Sequence, residues 1–273
     1  MPAQSPTTDE PVAVTTAGPV ATLWLNRPAK RNAVTSAMWR GIAAACDEIR
    51  PRRDVRLLVV RGVGEHFCAG ADIGERATVD ADDYLAATRA AESGLHELPK
   101  PTIAFIRGSC VGGGAEIAIA CDLRICDSTA RFGITPARLG IVYPSFAIER
   151  AVRLLGPSAT KHLLYSAELV DADRALRIGL VDEVHEPGAA EERLDAFTHL
   201  LATERSALTQ QASKQLVDAV VSYGAIPHSL AQRWAAEVAA SPDQEEGAAA
   251  FAERRAPRFT WDHPSSPRPE QEA

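Results

Sequence analysis

Short apolar runs alternate with amphipathic segments through the first half of the chain. The runs at residues 12–16 and 20–25 flank Ala17-Gly18-Pro19 and predict a β-hairpin. Apolar residues at helical spacing predict a helix over 34–49. The same two patterns predict strands at 55–61, 102–106 and 123–126 and helices at 80–97 and 115–121.

The second half of the chain has a different pattern, in which helical spacing dominates. It predicts six helices, at 146–155, 158–166, 172–178, 191–204, 207–221 and 229–240. Strands that alternate with helices, followed by a run of helices, indicate an α/β fold with a helical C-terminal part. We therefore divide the chain into a flexible tail (1–10), a core that carries the site (11–200), a helical region (201–263) and a second tail (264–273).

Composition narrows the classes of function. The 273 residues are 46% hydrophobic and 24% charged, as in globular proteins, and the net charge of −7 argues against a nucleic-acid partner. No apolar stretch reaches the ~18 residues of a membrane span, and the polar, proline-containing start predicts no signal peptide. The cysteines are odd in number and lack zinc-site spacing, so we expect reduced thiols and a cytoplasmic protein: Cys46, Cys68, Cys110, Cys121 and Cys126.

Two glycine- and alanine-rich turns, at residues 66–73 and 112–116, each follow an apolar β-like run. Two such turns can direct two backbone N–H groups at one point, which is what an oxyanion hole requires. Glu116 follows Gly113 by three residues and is therefore within reach of a group held there. Glycine clusters also serve tight turns and close packing, and Asp72 in the first turn is suited to cap a helix.

Four ordered motifs between residues 20 and 259 resemble the crotonase (enoyl-CoA hydratase/isomerase) superfamily. The segment 25–33 (Leu-Asn-Arg-Pro-Ala-Lys-Arg-Asn-Ala) is similar to the motif that lines the CoA nucleotide in that family. The turns at 69–72 (Ala-Gly-Ala-Asp) and 112–116 (Gly-Gly-Gly-Ala-Glu) match its oxyanion segments. Residues 246–259 look like its closing helix.

The resemblance implies a spiral of ββα units with a C-terminal helical trimerisation region, assembled as a homotrimer or a dimer of trimers. It implies an acyl-CoA thioester as substrate, with coenzyme A as part of that substrate, no permanently bound cofactor and no metal. Ala71 and Gly113 match the two N–H donors, and Glu116 matches the first catalytic glutamate. The CoA contacts that it implies are Lys30, Arg31, Ala69, Asp72, Ile73 and Arg254.

The sequence departs from the family pattern where hydratases carry a second glutamate. The segment 132–136 reads Phe-Gly-Ile-Thr-Pro, so that Pro136 takes the place of the glutamate. A Thr-Pro pair followed by Tyr143 resembles a subgroup that includes methylmalonyl-CoA decarboxylases. Those decarboxylases carry a histidine at the position of Ala71, which this chain lacks.

Several side chains have both a chemical and a structural interpretation. Glu116 is either a general acid or base or a carboxylate that binds backbone amides. Tyr143 either donates a hydrogen bond to substrate or packs beside the pocket. Glu149 is either a second carboxylate or the partner of Arg150 in an ion pair, and Cys68 is either a nucleophile or a small buried thiol.

These observations predict an acyl-CoA-processing enzyme that stabilises a thioester enolate with two N–H groups. The leading hypothesis is a lyase of the enoyl-CoA hydratase/isomerase type that has one of the two usual glutamates, with Glu116, Ala71, Gly113 and Tyr143 as its catalytic residues. The alternatives are decarboxylation of a malonyl-type thioester and a family member that binds acyl-CoA without catalysis.

Overall fold

The computed structural model describes residues 5–76 and 78–261. Its strands are β1 Val12–Ala17, β2 Val20–Leu25, β3 Leu57–Gly62, β4 Thr102–Ile106, β5 Ser109–Val111, β6 Leu123–Asp127, β7 Arg131–Gly133, β8 Val170–Asp171 and β9 Glu183–His185. Its helices are α1 Ser36–Ile49, α2 Ile73–Arg76, α3 Ala81–His96, α4 Gly113–Ala120, α5 Ser145–Ser166, α6 Ala172–Arg177, α7 Pro187–Thr203, α8 Ala207–Tyr223, α9 His228–Ala240 and α10 Asp243–Glu253.

Two sheets form the core. The larger has the strand order β1-β2-β3-β4-β6-β9, in which the β1–β2 hairpin is antiparallel and the other neighbours are parallel. The smaller has the order β5-β7-β8. Strands β3 and β4 are buried along their whole length, which explains their continuous apolar sequences. Three ββα units (β1–β2–α1, β4–β5–α4 and β6–β7–α5), with β3, α2 and α3 between the first two, confirm the predicted crotonase-like α/β architecture.

Helices α1 and α3 pack against each other and supply much of the main core. The Thr35 side chain caps α1 by accepting a hydrogen bond from the Met38 amide, and the Asp80 carboxylate caps α3. Both helices direct a stripe of apolar side chains inward, including Trp39 and Leu95. Helix α4 has no polar face, since all of its residues are buried. The second glycine-rich turn is therefore anchored by a helix that lies wholly inside the core.

Most of the elements predicted from periodicity are present, with differences at their ends. Helix α5 passes through a break at Gly156, whose φ of 73° and ψ of 168° separate the arms predicted as two helices. The closing helix predicted over 246–259 is wrong beyond Glu253, because Arg254 adopts a left-handed φ of 52° that ends α10. Strands β5, β7, β8 and β9 were not predicted, because two or three residues are too few to show an alternation of apolar and polar side chains.

The last three helices have a small apolar core of their own, in which Leu208, Trp234 and Trp261 are buried. The proposed trimerisation role of this region and the four domain limits stay predictions. The first four residues and the second predicted tail lie outside the described residues. Among those described, no helix combines the length and apolar character needed to cross a membrane.

Candidate active site

The two glycine-rich turns lie side by side. Strand β5 joins the first turn through the Cys68 amide, which donates to the Ser109 carbonyl at 2.8 Å, and the Val111 amide, which donates to the Cys68 carbonyl at 3.0 Å. Gly70 and Gly112 both have positive φ, at 113° and 52°. A Cβ atom on Gly112 would lie 3.7 Å from the Gly70 Cα, so the turns are in contact at their glycines.

The amides of Ala71 and Gly113 meet at this junction. The Val34 amide donates to the Gly70 carbonyl at 2.8 Å, and the Val34 carbonyl accepts from the Asp72 amide at 2.9 Å. These two bonds form a parallel bridge between Val34 and Ala71, in which the amide of Ala71 points away from Val34. Gly113 opens α4, and the first N–H groups of a helix have no partner within the helix. A Cβ on Gly113 would lie 3.5 Å from the Ala71 nitrogen. Two backbone N–H groups are thus adjacent in the wall of one cleft.

That cleft has a volume of about 690 Å³ and gathers the predicted catalytic residues. Ala71, Gly113, Glu116 and Tyr143 all line it. Glu116 lies about one helical turn beyond Gly113 and is 7% exposed, so its carboxyl group lies in a largely dry wall. Pro136 lines the cleft as well, and a proline side chain can neither bind nor release a proton.

Tyr143 connects the second turn to Glu116. Its hydroxyl donates to the Gly112 carbonyl at 3.0 Å, next to the Gly113 amide. Burial raises the pKa of Tyr143 well above its ordinary value, and the charges of Glu116 and Glu92 and a hydrogen bond with Glu116 add to that shift. The phenol is therefore a neutral hydrogen-bond donor at neutral pH.

We expect Tyr143→Phe to lower kcat/KM about 10-fold, because it removes a hydrogen bond that holds the second turn. A 10-fold loss is equivalent to ~1.4 kcal/mol of transition-state stabilisation. The ring keeps its packing, so the melting temperature should change little. Steady-state kinetics beside Tyr165→Phe, which removes a hydroxyl from a side chain that is 74% exposed, measure the effect. If both variants react as fast as the wild type, the Tyr143 hydroxyl does not contribute to catalysis and the side chain serves packing alone.

The residues predicted to contact CoA fall into three groups. Ala69 and Ile73 line the cleft. Lys30 and Arg31 are exposed close to it, since the Arg31 carbonyl accepts from the Ala69 amide at 2.9 Å. Arg254 is exposed at the end of α10 and is not among the described residues that line the cleft. The contacts of these five residues with CoA stay predictions, and so does the contact predicted for Asp72.

Asp72 has a structural function in the first turn. Its carboxylate pairs with Arg27 at 3.0 Å and accepts from the amides of Gly74 and Glu75 at 3.1 and 3.4 Å. The hydrogen bond from Arg27 holds the pKa of Asp72 below its usual value. The capping interpretation of Asp72 is therefore confirmed, and Arg27 ties the motif at residues 25–33 to the oxyanion turn.

Cys68 is a buried thiol. Burial raises its pKa to about 12, which leaves almost no thiolate at neutral pH. All five cysteines are free and buried. Within residues 5–76 and 78–261, no group of three or more histidine, cysteine or acidic residues is arranged to hold a metal ion.

The sequence pattern missed one ion pair behind the site and misassigned another. Glu149 is 64% exposed and lies 3.9 Å from Arg153, so its expected pairing with Arg150 is wrong. Arg150 instead meets Glu92 of α3 at 3.2 Å. A signal for Glu92 was available, because it lies four residues after buried Thr88 on the buried face of α3.

Comparison with known proteins decides the family. The sequence profile of the enoyl-CoA hydratase/isomerase family matches residues 15–262. The chain belongs to the enoyl-CoA hydratase/isomerase family. It is 32% identical over 91% of its length to (E)-benzylidenesuccinyl-CoA hydratase of Thauera aromatica, covering 98% of that protein. It is 31% identical over 88% of its length to human methylglutaconyl-CoA hydratase, of which it covers 73%.

A solved structure supports the same assignment. An enoyl-CoA hydratase/carnithine racemase from Magnetospirillum magneticum superposes with a TM-score of 0.88 at 30% identity, over 93% of this chain and 96% of that one. Enoyl-CoA hydratase/isomerase family membership makes this an acyl-CoA enzyme, and the hydratases among its relatives are lyases.

Proposed function

We propose that this protein hydrates the double bond of an enoyl-CoA thioester whose acyl group is apolar. The adjacent amides of Ala71 and Gly113, with the Glu116 carboxylate in the same cleft, are the observation that carries the proposal. Two fixed donors would bind the thioester oxygen and stabilise the negative charge that it gains in the enolate. The positive end of α4 would add to that stabilisation.

One carboxylate can carry the proton through both halves of the addition. Glu116 would take a proton from water as the water oxygen forms a bond to Cβ, and the electrons of the double bond would move to the thioester oxygen. The protonated Glu116 would then return the proton to Cα as the enolate collapses. No second acid is needed for the balance, which fits a cleft that has Pro136 in the place of the second glutamate.

A second candidate reaction is the shift of a double bond along the acyl chain. It requires removal of a proton from one carbon and its return to another, which a single carboxylate can perform. Pro136 is the observation that favours it, because hydration in the family pattern uses two glutamates. Purified protein given crotonyl-CoA and 3-hexenoyl-CoA in parallel separates the reactions by product: a 3-hydroxyacyl-CoA for hydration, a 2-enoyl-CoA for isomerisation. If the protein forms neither of these products, the proposed function is wrong.

The lining of the cleft favours an uncharged acyl group. Its outer wall is apolar, with Leu85, Leu139, Ile141 and Val142. Among the side chains that the structure describes, the charged ones in this lining are Asp82 and Glu116, both acidic. A carboxylate at the end of an acyl chain would lose water without gaining a cation there, and this counts against the malonyl-type decarboxylase alternative.

We therefore expect kcat/KM for glutaconyl-CoA to be at least ~100-fold below that for crotonyl-CoA, the equivalent of ~3 kcal/mol for an unpaired carboxylate. The two thioesters differ only by the terminal carboxylate, so each controls for the other. Initial rates from the loss of enoyl absorbance give the ratio. Comparable rates would show that the cleft supplies a cation to the acyl end.

A further inference from the structure

Tyr84 lines the candidate site and is anchored to the buried core behind it. It lies near the start of α3 and is half-buried. The indole Nε1 of Trp39 donates a hydrogen bond to the Tyr84 hydroxyl oxygen at 2.9 Å. Trp39 is fully buried on α1, so the ring of Tyr84 points from α3 into the protein, toward that indole. The cleft therefore has an aromatic wall whose inner end is held by the core.

The same indole lies beside the second glycine-rich turn. A Cβ on Gly113 would lie 3.1 Å from Cζ2 of Trp39. Within an indole, Cζ2 and the Nε1 nitrogen that binds Tyr84 are attached to the same ring carbon. The Tyr84 hydroxyl is therefore only one indole edge away from Gly113. This places the aromatic wall close to the amide that would bind the thioester oxygen, where the first carbons of an acyl chain would lie.

Both ends of this wall are fixed. Asp80 caps α3 with its carboxylate, and its carbonyl accepts a hydrogen bond from the Tyr84 amide at 3.0 Å. One turn later, the Thr88 hydroxyl donates to the Tyr84 carbonyl at 3.0 Å. At the inner end, turning the ring away would leave the buried N–H of Trp39 without this hydrogen-bond partner, which costs free energy. The ring is thus held at its backbone and at its hydroxyl.

The aliphatic side chains of the outer wall have no such anchor. Leu85, Leu139 and Val142 are 42%, 52% and 86% exposed. An aliphatic side chain forms no hydrogen bond, and with this much exposed surface it can change rotamer to make room for a longer chain. Tyr84 can make room only by giving up its bond to Trp39. It is therefore the part of the wall that limits the acyl group.

We propose that Tyr84 is a specificity-determining residue that limits the length of the acyl chain, and that Trp39 is the positioning residue that holds its ring. A crotonyl group has a single carbon beyond Cβ and ends before it meets the ring. A 2-decenoyl group has seven and must displace the ring. This inference rests on the proposed function, because it places the thioester oxygen at the amides of Ala71 and Gly113.

Binding of saturated thioesters tests the limit without any turnover. Isothermal calorimetry gives the Kd of butanoyl-CoA and of decanoyl-CoA for the wild type and for Tyr84→Ala. The substitution should tighten decanoyl-CoA binding at least ~10-fold, the gain expected from burying two further methylene groups. Butanoyl-CoA should bind within about 3-fold of the wild type, because it buries no further surface. Equal shifts for the two thioesters, or a decanoyl-CoA affinity that does not rise, would overturn the proposal.

Tyr84→Phe tests the anchor, and it stays informative if alanine prevents folding, because it keeps the ring and removes only the hydroxyl. A ring released from Trp39 can turn aside, so decanoyl-CoA should bind at least about 3-fold more tightly while butanoyl-CoA binding is unchanged. An unchanged ratio of the two affinities would refute the proposal. The same two substitutions at Tyr165, which is exposed on α5, are the matched controls and should leave both affinities unchanged.

Rates separate a failure of this inference from a failure of the proposed function. In an active enzyme, Tyr84→Ala should raise the ratio of kcat/KM for 2-decenoyl-CoA to that for crotonyl-CoA at least ~10-fold, as in binding. A hydratase in which this ratio is unchanged would keep the proposed function and overturn the length limit. A protein with the expected binding ratios that forms no product would support the length limit and contradict the proposed function. Binding of neither thioester would contradict both.

Discussion

Glu116→Gln is expected to lower kcat for crotonyl-CoA hydration at least ~100-fold, the lower range for loss of a general acid or base. Glutamine fills the same space on α4, so it preserves packing in a helix that is buried on every side. It cannot take a proton from water or return one to Cα. Binding of butanoyl-CoA, a saturated and unreactive analogue, should stay within about 3-fold of the wild type, because the amide donors remain.

Glu149→Gln is the matched control, since it makes the same chemical change on an exposed helix surface. It should leave both kcat and thioester binding unchanged. A Glu116→Gln enzyme with wild-type kcat would show that Glu116 is a structural carboxylate. Loss of binding together with activity would show instead that the substitution disturbs the turn.

Gly113→Ala should have the second large effect, a loss of ~10²–10³ in kcat, as found when one oxyanion donor is removed. A Cβ on Gly113 would lie 2.9 Å from Val34 Cγ1, closer than real Cβ atoms come, and 3.1 Å from Trp39 Cζ2, an unusually tight contact. Neither neighbour is free to move, because both are fully buried. The start of α4 must therefore shift, and the Gly113 amide moves away from that of Ala71.

Gly188→Ala provides the control for a glycine in the first turn of a helix. No atom lies within 4 Å of a Cβ added there. Alanine should therefore leave activity unchanged and stabilise α7 by up to ~1 kcal/mol. Circular dichroism and Tm for both variants separate a displaced donor from a failure to fold. Wild-type activity in a folded Gly113→Ala protein would exclude this amide as an oxyanion donor.

Local patterns predict the part of this site that lies within single stretches of chain. Glycines at 112–114, followed by an apolar run, predict both the tight turn and the helix that begins there, since the two signals lie within ten residues. Motif spacing likewise predicts that Pro136 takes the place of the second glutamate, and the structure places it in the cleft wall.

Contacts between distant segments are not predictable in this way. The partner of Arg150 depends on how α3 packs beside α5, and no spacing rule connects Glu92 to a residue 58 positions later. The adjacent Glu149-Arg150 pair was the simpler interpretation, but neighbouring residues on a helix point in different directions. Backbone conformation can be equally hard to predict. The motif at residues 246–259 does not reveal that Arg254 adopts the left-handed conformation that ends α10.

A crystal structure with butanoyl-CoA tests the central claim most directly. The account predicts that the thioester oxygen lies ~2.7–3.1 Å from the amide nitrogens of both Ala71 and Gly113, the range for oxyanion donors. The Glu116 carboxylate should face Cα and Cβ of the acyl group. A thioester oxygen bound away from these two amides, or a Glu116 carboxylate separated from the acyl carbons by other side chains, would contradict it.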